Sequence, residues 1–114
     1  MIPVTVRIFA CTEPVDMRRG FDGLALLTRQ TLGEDPRSGT LFIFINRRRD
    51  RLKALWWDKN GYCILYKRLH RAVFELASAG GESPTVRIDG KRLAQLLAGT
   101  PKKRKPCSGL HVVC

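Results

Sequence analysis

Basic side chains that could bind phosphate are concentrated in a short central part of the 114-residue sequence. Residues 47–71 contain nine Lys and Arg residues but only two acids, so this segment alone supplies +7 of the chain's net charge of +11. Arg47, Arg48 and Arg49 are consecutive, and Asp50 is the one acid close to them in the sequence. Charge concentrated in this way is typical of proteins that bind a polyanion, most often nucleic acid. The alternative is a solvated loop whose charges protect a sheet edge from aggregation.

The rest of the excess charge lies near the end of the sequence. Residues 102–105 are all Lys or Arg, and they follow Pro101 in a segment with no packing pattern. We therefore expect one domain over residues 1–100 and a flexible basic tail over residues 101–114. The tail charges are expected to add only nonspecific attraction.

Groups that could support catalysis or bind a metal are few. His70 has no nucleophile placed beside it by a recognisable motif, and each aspartate has a local structural explanation. Cys107, His111 and Cys114 lack the second ligand pair that a structural zinc site requires. We expect no enzymatic activity, no metal and no cofactor. A small toxin-like ribonuclease that uses His70 or Tyr66 with the arginines is the less favoured alternative.

The segments that must position these residues predict an α+β domain, an antiparallel β-meander of about four to five strands packed against two helices. Asp16 is predicted to cap a first helix that ends at Gly33, although Gly20 and Gly23 could instead leave a loop and a shorter helix. Asp89 is predicted to cap the second helix, over residues 91–98. Strands are predicted over residues 4–11, 41–45, 52–58, 62–69, 73–76 and 85–88.

The dipeptide Asn60-Gly61 predicts a two-residue hairpin turn, which would place Lys53 opposite Arg68. One face of this hairpin would mix cations with Trp57 and Tyr66, while the other face is largely apolar and is expected to pack on the helices. Interleaved aromatic and basic residues can bind bases and phosphates, but half-buried sheet aromatics are an equally good explanation. The predicted nucleic-acid-binding residues are Arg47, Arg48, Arg49, Arg51, Lys53, Trp57, Tyr66, Lys67, Arg68 and Arg71.

Two sequence motifs resemble a known family. The first is residues 16–24, DMRRGFDGL, and the second lies within residues 39–69 and includes NRRRDRLK, WWD and YKRL. Over residues 2–99 the chain resembles the TnpB accessory proteins encoded by the second reading frame of IS-sixty-six-type bacterial insertion sequences. The resemblance implies a protein that assists transposition while a separate transposase supplies the chemistry.

The expected partner is nucleic acid, with DNA preferred to RNA. The alternative is an interaction module whose basic face binds an acidic patch of the transposase. The longest apolar run, residues 41–45, is far too short to span a membrane, and the first residues do not form a signal peptide. We therefore expect a cytoplasmic protein, and the sequence leaves its oligomeric state open.

Overall fold

The computed structural model describes residues 6–76 and 83–101. Helix α1 (Phe21–Leu27) continues directly into a wider π-helical turn over Thr28–Leu32. The elements in chain order are β1 (Ile8–Cys11), α1 (Phe21–Leu27), β2 (Leu41–Ile45), β3 (Arg51–Asp58), β4 (Gly61–Arg68), β5 (Ala72–Val73), β6 (Thr85–Ile88), α2 (Gly90–Ala98) and β7 (Thr100–Pro101).

Five of the strands form one mixed sheet in the order β4-β3-β2-β1-β6. Strands β2, β3 and β4 are the predicted antiparallel meander, and β6 also pairs antiparallel to β1. Strands β1 and β2 are parallel, because α1 and the segment after it carry the chain back to the starting end of the sheet. The predicted α+β class is therefore confirmed, with one parallel pair added.

The first helix begins later than predicted from Asp16. Residue Gly20, with an extended backbone, precedes α1, and no side chain caps the helix. The carboxylate of Asp16 instead accepts a hydrogen bond from the backbone N–H of Arg18 and pairs with its guanidinium at 2.7 Å. The alternative of a loop followed by a shorter helix is thus correct. Gly33 ends the helical segment as predicted, with a φ of 67° that favours glycine.

The core occupies both faces of the sheet, so the prediction that only one hairpin face packs on helices is wrong. On one side, Leu24 and Ala25 of α1 pack with Phe42, Phe44 and Leu55. On the other, the buried cluster includes Leu52, Ala54, Phe74 and Leu96 of α2. Each strand of the hairpin therefore has an α1 face and an α2 face. The uninterrupted apolar run of β2 is buried at every position because it is covered from both sides.

The hairpin turn lies one residue earlier than predicted. Asp58 pairs with Gly61, so Lys59 and Asn60 form the two-residue loop, and Lys59 takes a φ of 53°. Lys53 consequently lies opposite Tyr66, and Arg51 is the residue opposite Arg68. The pairing moves by two residues, so each predicted face keeps its members.

Two short strands lie beside the main sheet. Strand β5 pairs with β7, which places Pro101, the first residue of the predicted tail, in a strand. Asp89 caps α2 as predicted, because its Oδ1 accepts a hydrogen bond from the backbone N–H of Arg92. The basic run 102–105, the tail cysteines and the first residues of the predicted strand 4–11 lie outside the described residues. Among the described residues, no helix is long and apolar enough to cross a membrane.

Candidate nucleic-acid interface

The three consecutive arginines lie on the turn between β2 and β3, here called the arginine loop (residues 46–50). Asn46 closes this loop with its side chain. Its Oδ1 accepts hydrogen bonds from the backbone N–H groups of Asp50 (3.1 Å) and Arg51 (3.0 Å). Its Nδ2 donates to Oδ1 of Asp50 over 2.8 Å. The side chain of one asparagine therefore makes three of the hydrogen bonds that close the loop.

The main chain of the arginine loop is also tied to the segment that follows β4. The backbone N–H of Leu69 donates to the carbonyl of Asp50, and that of Phe74 donates to the carbonyl of Arg49, both over 2.7 Å. The Phe74 side chain is fully buried in the core. Arg49 takes a φ of 61°, a conformation that these bonds hold in place. The loop is consequently anchored to the core while its arginine side chains are exposed.

In the part of the chain that the structure describes, the loop arginines form no ion pair with a carboxylate. The hydrogen bond from Asn46, with smaller contributions from the positive charges of Arg51 and Arg48, holds the pKa of Asp50 below its ordinary value. Asp50 is therefore ionised at neutral pH. Within residues 6–76 and 83–101, the one ion pair within 4.0 Å joins Arg18 to Asp16, away from the loop. The loop arginines are left to interact with solvent or with an external anion.

Three further arginines converge on the same end of the hairpin. Arg51 and Arg68 face each other directly on β3 and β4, and Nη1 of Arg51 donates to the hydroxyl of Tyr66 over 3.4 Å. Arg71 is exposed in the short stretch between Leu69 and Phe74, the two residues that hydrogen-bond to the loop. We call the group formed by Arg47, Arg48, Arg49, Arg51, Arg68 and Arg71 the arginine cluster.

Two predicted lysines lie elsewhere and are engaged with main-chain carbonyls. Nζ of Lys53 donates to the carbonyl of Arg19 over 2.8 Å and lies 4.9 Å from the ring centroid of Tyr66. Nζ of Lys67 donates to the carbonyl of Leu97, near the end of α2, over 2.7 Å. The ammonium group of Lys53 thus binds the segment before α1, and that of Lys67 binds α2, instead of joining the arginine cluster.

The two predicted aromatic residues differ in their environments. Trp57 is half-buried, with the guanidinium of Arg37 4.8 Å from its ring centroid and the edge-packed ring of Tyr62 at 4.9 Å. Tyr66 is 51% exposed. Sequence reasoning missed Arg37, because it lies in the irregular segment before β2, where no periodicity links it to the hairpin. Its contact with Trp57 depends on the tertiary fold.

Two grooves of about 540 and 550 Å³ open beside the arginine loop. Both are lined by Glu13, Asn46 and Arg47, and they lie where the parallel strands β1 and β2 end. The carboxyl ends of parallel strands often bind ligands. Cys11 also lines both grooves, but burial raises the pKa of its thiol, so it is protonated at neutral pH. In the part of the chain that the structure describes, no group of three His, Cys, Asp or Glu residues could hold a metal ion.

Comparison with known proteins identifies the family. The model of the IS66 Orf2 like protein family matches residues 6–106, and so extends past the predicted resemblance into the basic run 102–105. The uncharacterized protein y4hO of Sinorhizobium fredii is 39% identical over 94 residues, which are 82% of this chain and 80% of the relative. The uncharacterized protein y4jC of the same bacterium is 35% identical over 104 residues, 89% of this chain and 87% of the relative. No solved structure matches. The chain therefore belongs to the IS66 Orf2-like family of accessory proteins, which are associated with the transposition of insertion sequences.

Proposed function

We propose that this protein binds nucleic acid, and DNA in preference to RNA, through the arginine cluster, and that it assists transposition without catalysing a reaction. One observation carries the proposal: six arginines meet at one end of the hairpin, and in the described residues none of them has a carboxylate within ion-pair distance.

The geometry of the arginine loop supports phosphate binding. Guanidinium groups bind phosphate through paired N–H donors, and they bind it more tightly when their positions are fixed in advance. Asn46 and the backbone donors of Leu69 and Phe74 fix the main chain from which the loop guanidinium groups extend. An anion bound over the cluster would also relieve the repulsion between Arg51 and Arg68, which lie directly opposite each other.

The other predicted contacts are expected to differ in strength. Tyr66 is half-exposed beside Arg51 and can stack on an unpaired base. Trp57 is covered by Arg37, while Lys53 and Lys67 already bind carbonyl groups. We therefore propose that these three residues contribute less than the arginine cluster.

An electrophoretic shift series tests this function. The pure protein is titrated into labelled DNA from an insertion-sequence end, unrelated DNA of the same length, and RNA. We expect a shift at low salt that is strongly weakened when Arg47, Arg48 and Arg49 are replaced by alanine. Replacing Arg29 and Arg87, two exposed arginines outside the cluster, is the control and should change little.

The same preparations separate the two rival functions. Failure to shift any nucleic acid, together with capture of the transposase after nuclease treatment, would favour the interaction module. Cleavage of the RNA that disappears in His70→Ala would favour the ribonuclease. Either result would overturn the proposal.

A further inference from the structure

The outer edge of β4 lies at the end of the five-stranded sheet, where β3 is its one neighbour among the described strands. Asp58 and Gly61 flank the two-residue loop and are register partners. In a two-residue hairpin this flanking pair carries the hydrogen bonds that close the loop. Because hydrogen-bonding direction alternates along an antiparallel strand, the main-chain groups of every second residue after Gly61 point away from β3. These residues are Tyr62, Ile64, Tyr66 and Arg68.

The exposed half of β4 carries two charged residues, Lys67 and Arg68, and also two large side chains with apolar surface. Leu65 is 41% exposed and Tyr66 is 51% exposed, although both lie on an edge where proteins usually place charges, prolines or bulges. Lys67 would normally protect such an edge, but its ammonium group is bound to the carbonyl of Leu97. Strand β4 is also eight residues long, and within residues 6–76 and 83–101 no second strand pairs with its outer row of donors and acceptors.

We propose that a second copy of this chain pairs with β4 in antiparallel orientation, about a two-fold axis that passes beside Leu65, to form one sheet of ten strands. In this register Leu65 faces Leu65 of the second copy, Ile64 faces its Tyr66, Tyr62 faces its Arg68, and Cys63 faces its Lys67.

Hydrogen bonding and charge favour this register over those with an axis at Ile64 or at Lys67. It pairs all four outward-facing residues with one another and forms about eight backbone hydrogen bonds. An axis at Ile64 would place Arg68 opposite Asn60, which lies in the hairpin loop. An axis at Lys67 would place two ammonium groups directly opposite each other, which is unfavourable.

The chosen register matches the side chains on both faces. On the α2 face it buries the exposed Leu65 against its symmetry mate, with no like charges directly opposite. On the α1 face it places Arg68 against the ring of Tyr62, a favourable cation–π contact. The two Arg68 residues would be six strand positions apart, about 20 Å. The dimer would therefore carry two separate arginine clusters. The proposal goes beyond nucleic-acid binding and does not depend on it.

Cysteine cross-linking of the full chain tests the register without nucleic acid. Leu65→Cys is made in a chain in which Cys63, Cys107 and Cys114 are replaced by serine. The two Leu65 residues would form a non-hydrogen-bonded antiparallel pair. Residues in such a pair have Cα atoms about 4.5 Å apart, within the range of a disulfide. We expect mild oxidation to convert most of this variant into a covalent dimer.

The matched control keeps Cys63 and Leu65 and replaces only Cys107 and Cys114. The two Cys63 residues would lie four strand positions apart, about 13 Å, and should cross-link at least tenfold more slowly. Light scattering should give twice the chain mass for the wild type, and Leu65→Lys should give the mass of one chain with an unchanged circular dichroism spectrum. A monomeric wild type, or equal cross-linking through Cys63 and through Leu65→Cys, would overturn the proposal.

Discussion

Asn46 and Asp50 bind each other reciprocally across the arginine loop. Nδ2 of Asn46 donates to Oδ1 of Asp50 over 2.8 Å, and the backbone N–H of Asp50 donates to Oδ1 of Asn46 over 3.1 Å. This pair holds the main chain that carries the three loop arginines, and it engages Oδ1 of the nearest acid. The loop backbone is therefore ordered before any ligand binds, which lowers the entropy cost of binding.

Replacing Asn46 should weaken both the fold and the binding of DNA. Asn46→Ala removes three hydrogen bonds and leaves partly buried N–H groups without a partner, so we expect a loss of about 1–3 kcal/mol in the free energy of unfolding. DNA affinity should fall several-fold because the loop is no longer fixed, while its charge is unchanged. Urea denaturation and fluorescence anisotropy measure the two effects. Asn60→Ala, which alters an exposed asparagine of the hairpin loop, is the control, and an equal effect there would contradict this role.

The Asn46–Asp50 pair also predicts an effect of pH. The lowered pKa of Asp50 means that its ionised form stabilises the wild type, fully above the ordinary carboxyl pKa, and that this stabilisation is lost as pH falls through the lowered value. In Asn46→Asp a second carboxylate replaces the amide donor, so the pKa of Asp50 should rise. Ionisation of Asp50 should then destabilise the variant, whereas it stabilises the wild type. We expect the Tm difference between wild type and variant to be large at pH 7 and to narrow towards pH 4. A difference that widens on acidification would show that this pair does not control the loop.

Gly99 should be the glycine least tolerant of substitution among those the structure describes. It has a φ of 82° and a ψ of 162°, and a Cβ there would lie 2.8 Å from Cδ1 of Leu69. Gly99→Ala should therefore destabilise the protein by about 1–3 kcal/mol. Gly90→Ala, at the start of α2 where a Cβ meets nothing within 4 Å, is the control and should be neutral or stabilising by up to about 1 kcal/mol. Thermal denaturation compares the two variants directly. Equal stability would show that the positive φ and the contact with Leu69 do not restrict position 99.

Much of the fold could be predicted from local patterns. The apolar run of β2, the capping of α2 by Asp89 and the end of the first helical segment at Gly33 each depend on neighbouring residues, and all three are confirmed. The parallel pairing of β1 with β2 was missed, because it depends on where α1 packs. The hairpin turn was misplaced by one residue, since Lys59 takes the positive φ that sequence preference assigns to Asn60 or Gly61.

The candidate site was only partly predictable. Charge counting found the arginines, because their excess is visible in the sequence. It could not reveal that the ammonium groups of Lys53 and Lys67 bind the carbonyls of Arg19 and Leu97, which are 34 and 30 residues away in the sequence. Arg37 was missed for the same reason, since it meets Trp57 only in the folded chain.

Removing Arg37 should separate the structural role of Trp57 from a binding role. Arg37→Ala deletes a cation–π contact at the surface and should lower the free energy of unfolding by about 0.5–1 kcal/mol. The tryptophan emission should shift because the ring becomes more exposed. Arg29→Ala removes the same charge elsewhere and should cause neither change. A large rise in DNA affinity on uncovering Trp57 would instead indicate that its ring stacks on bases.

The salt dependence of DNA binding tests most directly whether the arginine cluster binds DNA. Fluorescence anisotropy is measured from low to physiological salt for the wild type and for the variant in which alanine replaces Arg47, Arg48 and Arg49. If all six arginines of the cluster contact phosphates, log affinity should fall against log salt with a slope of about −5 for the wild type, and of about −3 for the variant. The Arg29 and Arg87 control should keep the wild-type slope. A wild type that binds no DNA at low salt, or a variant with the same slope as the wild type, would contradict binding through the arginine cluster.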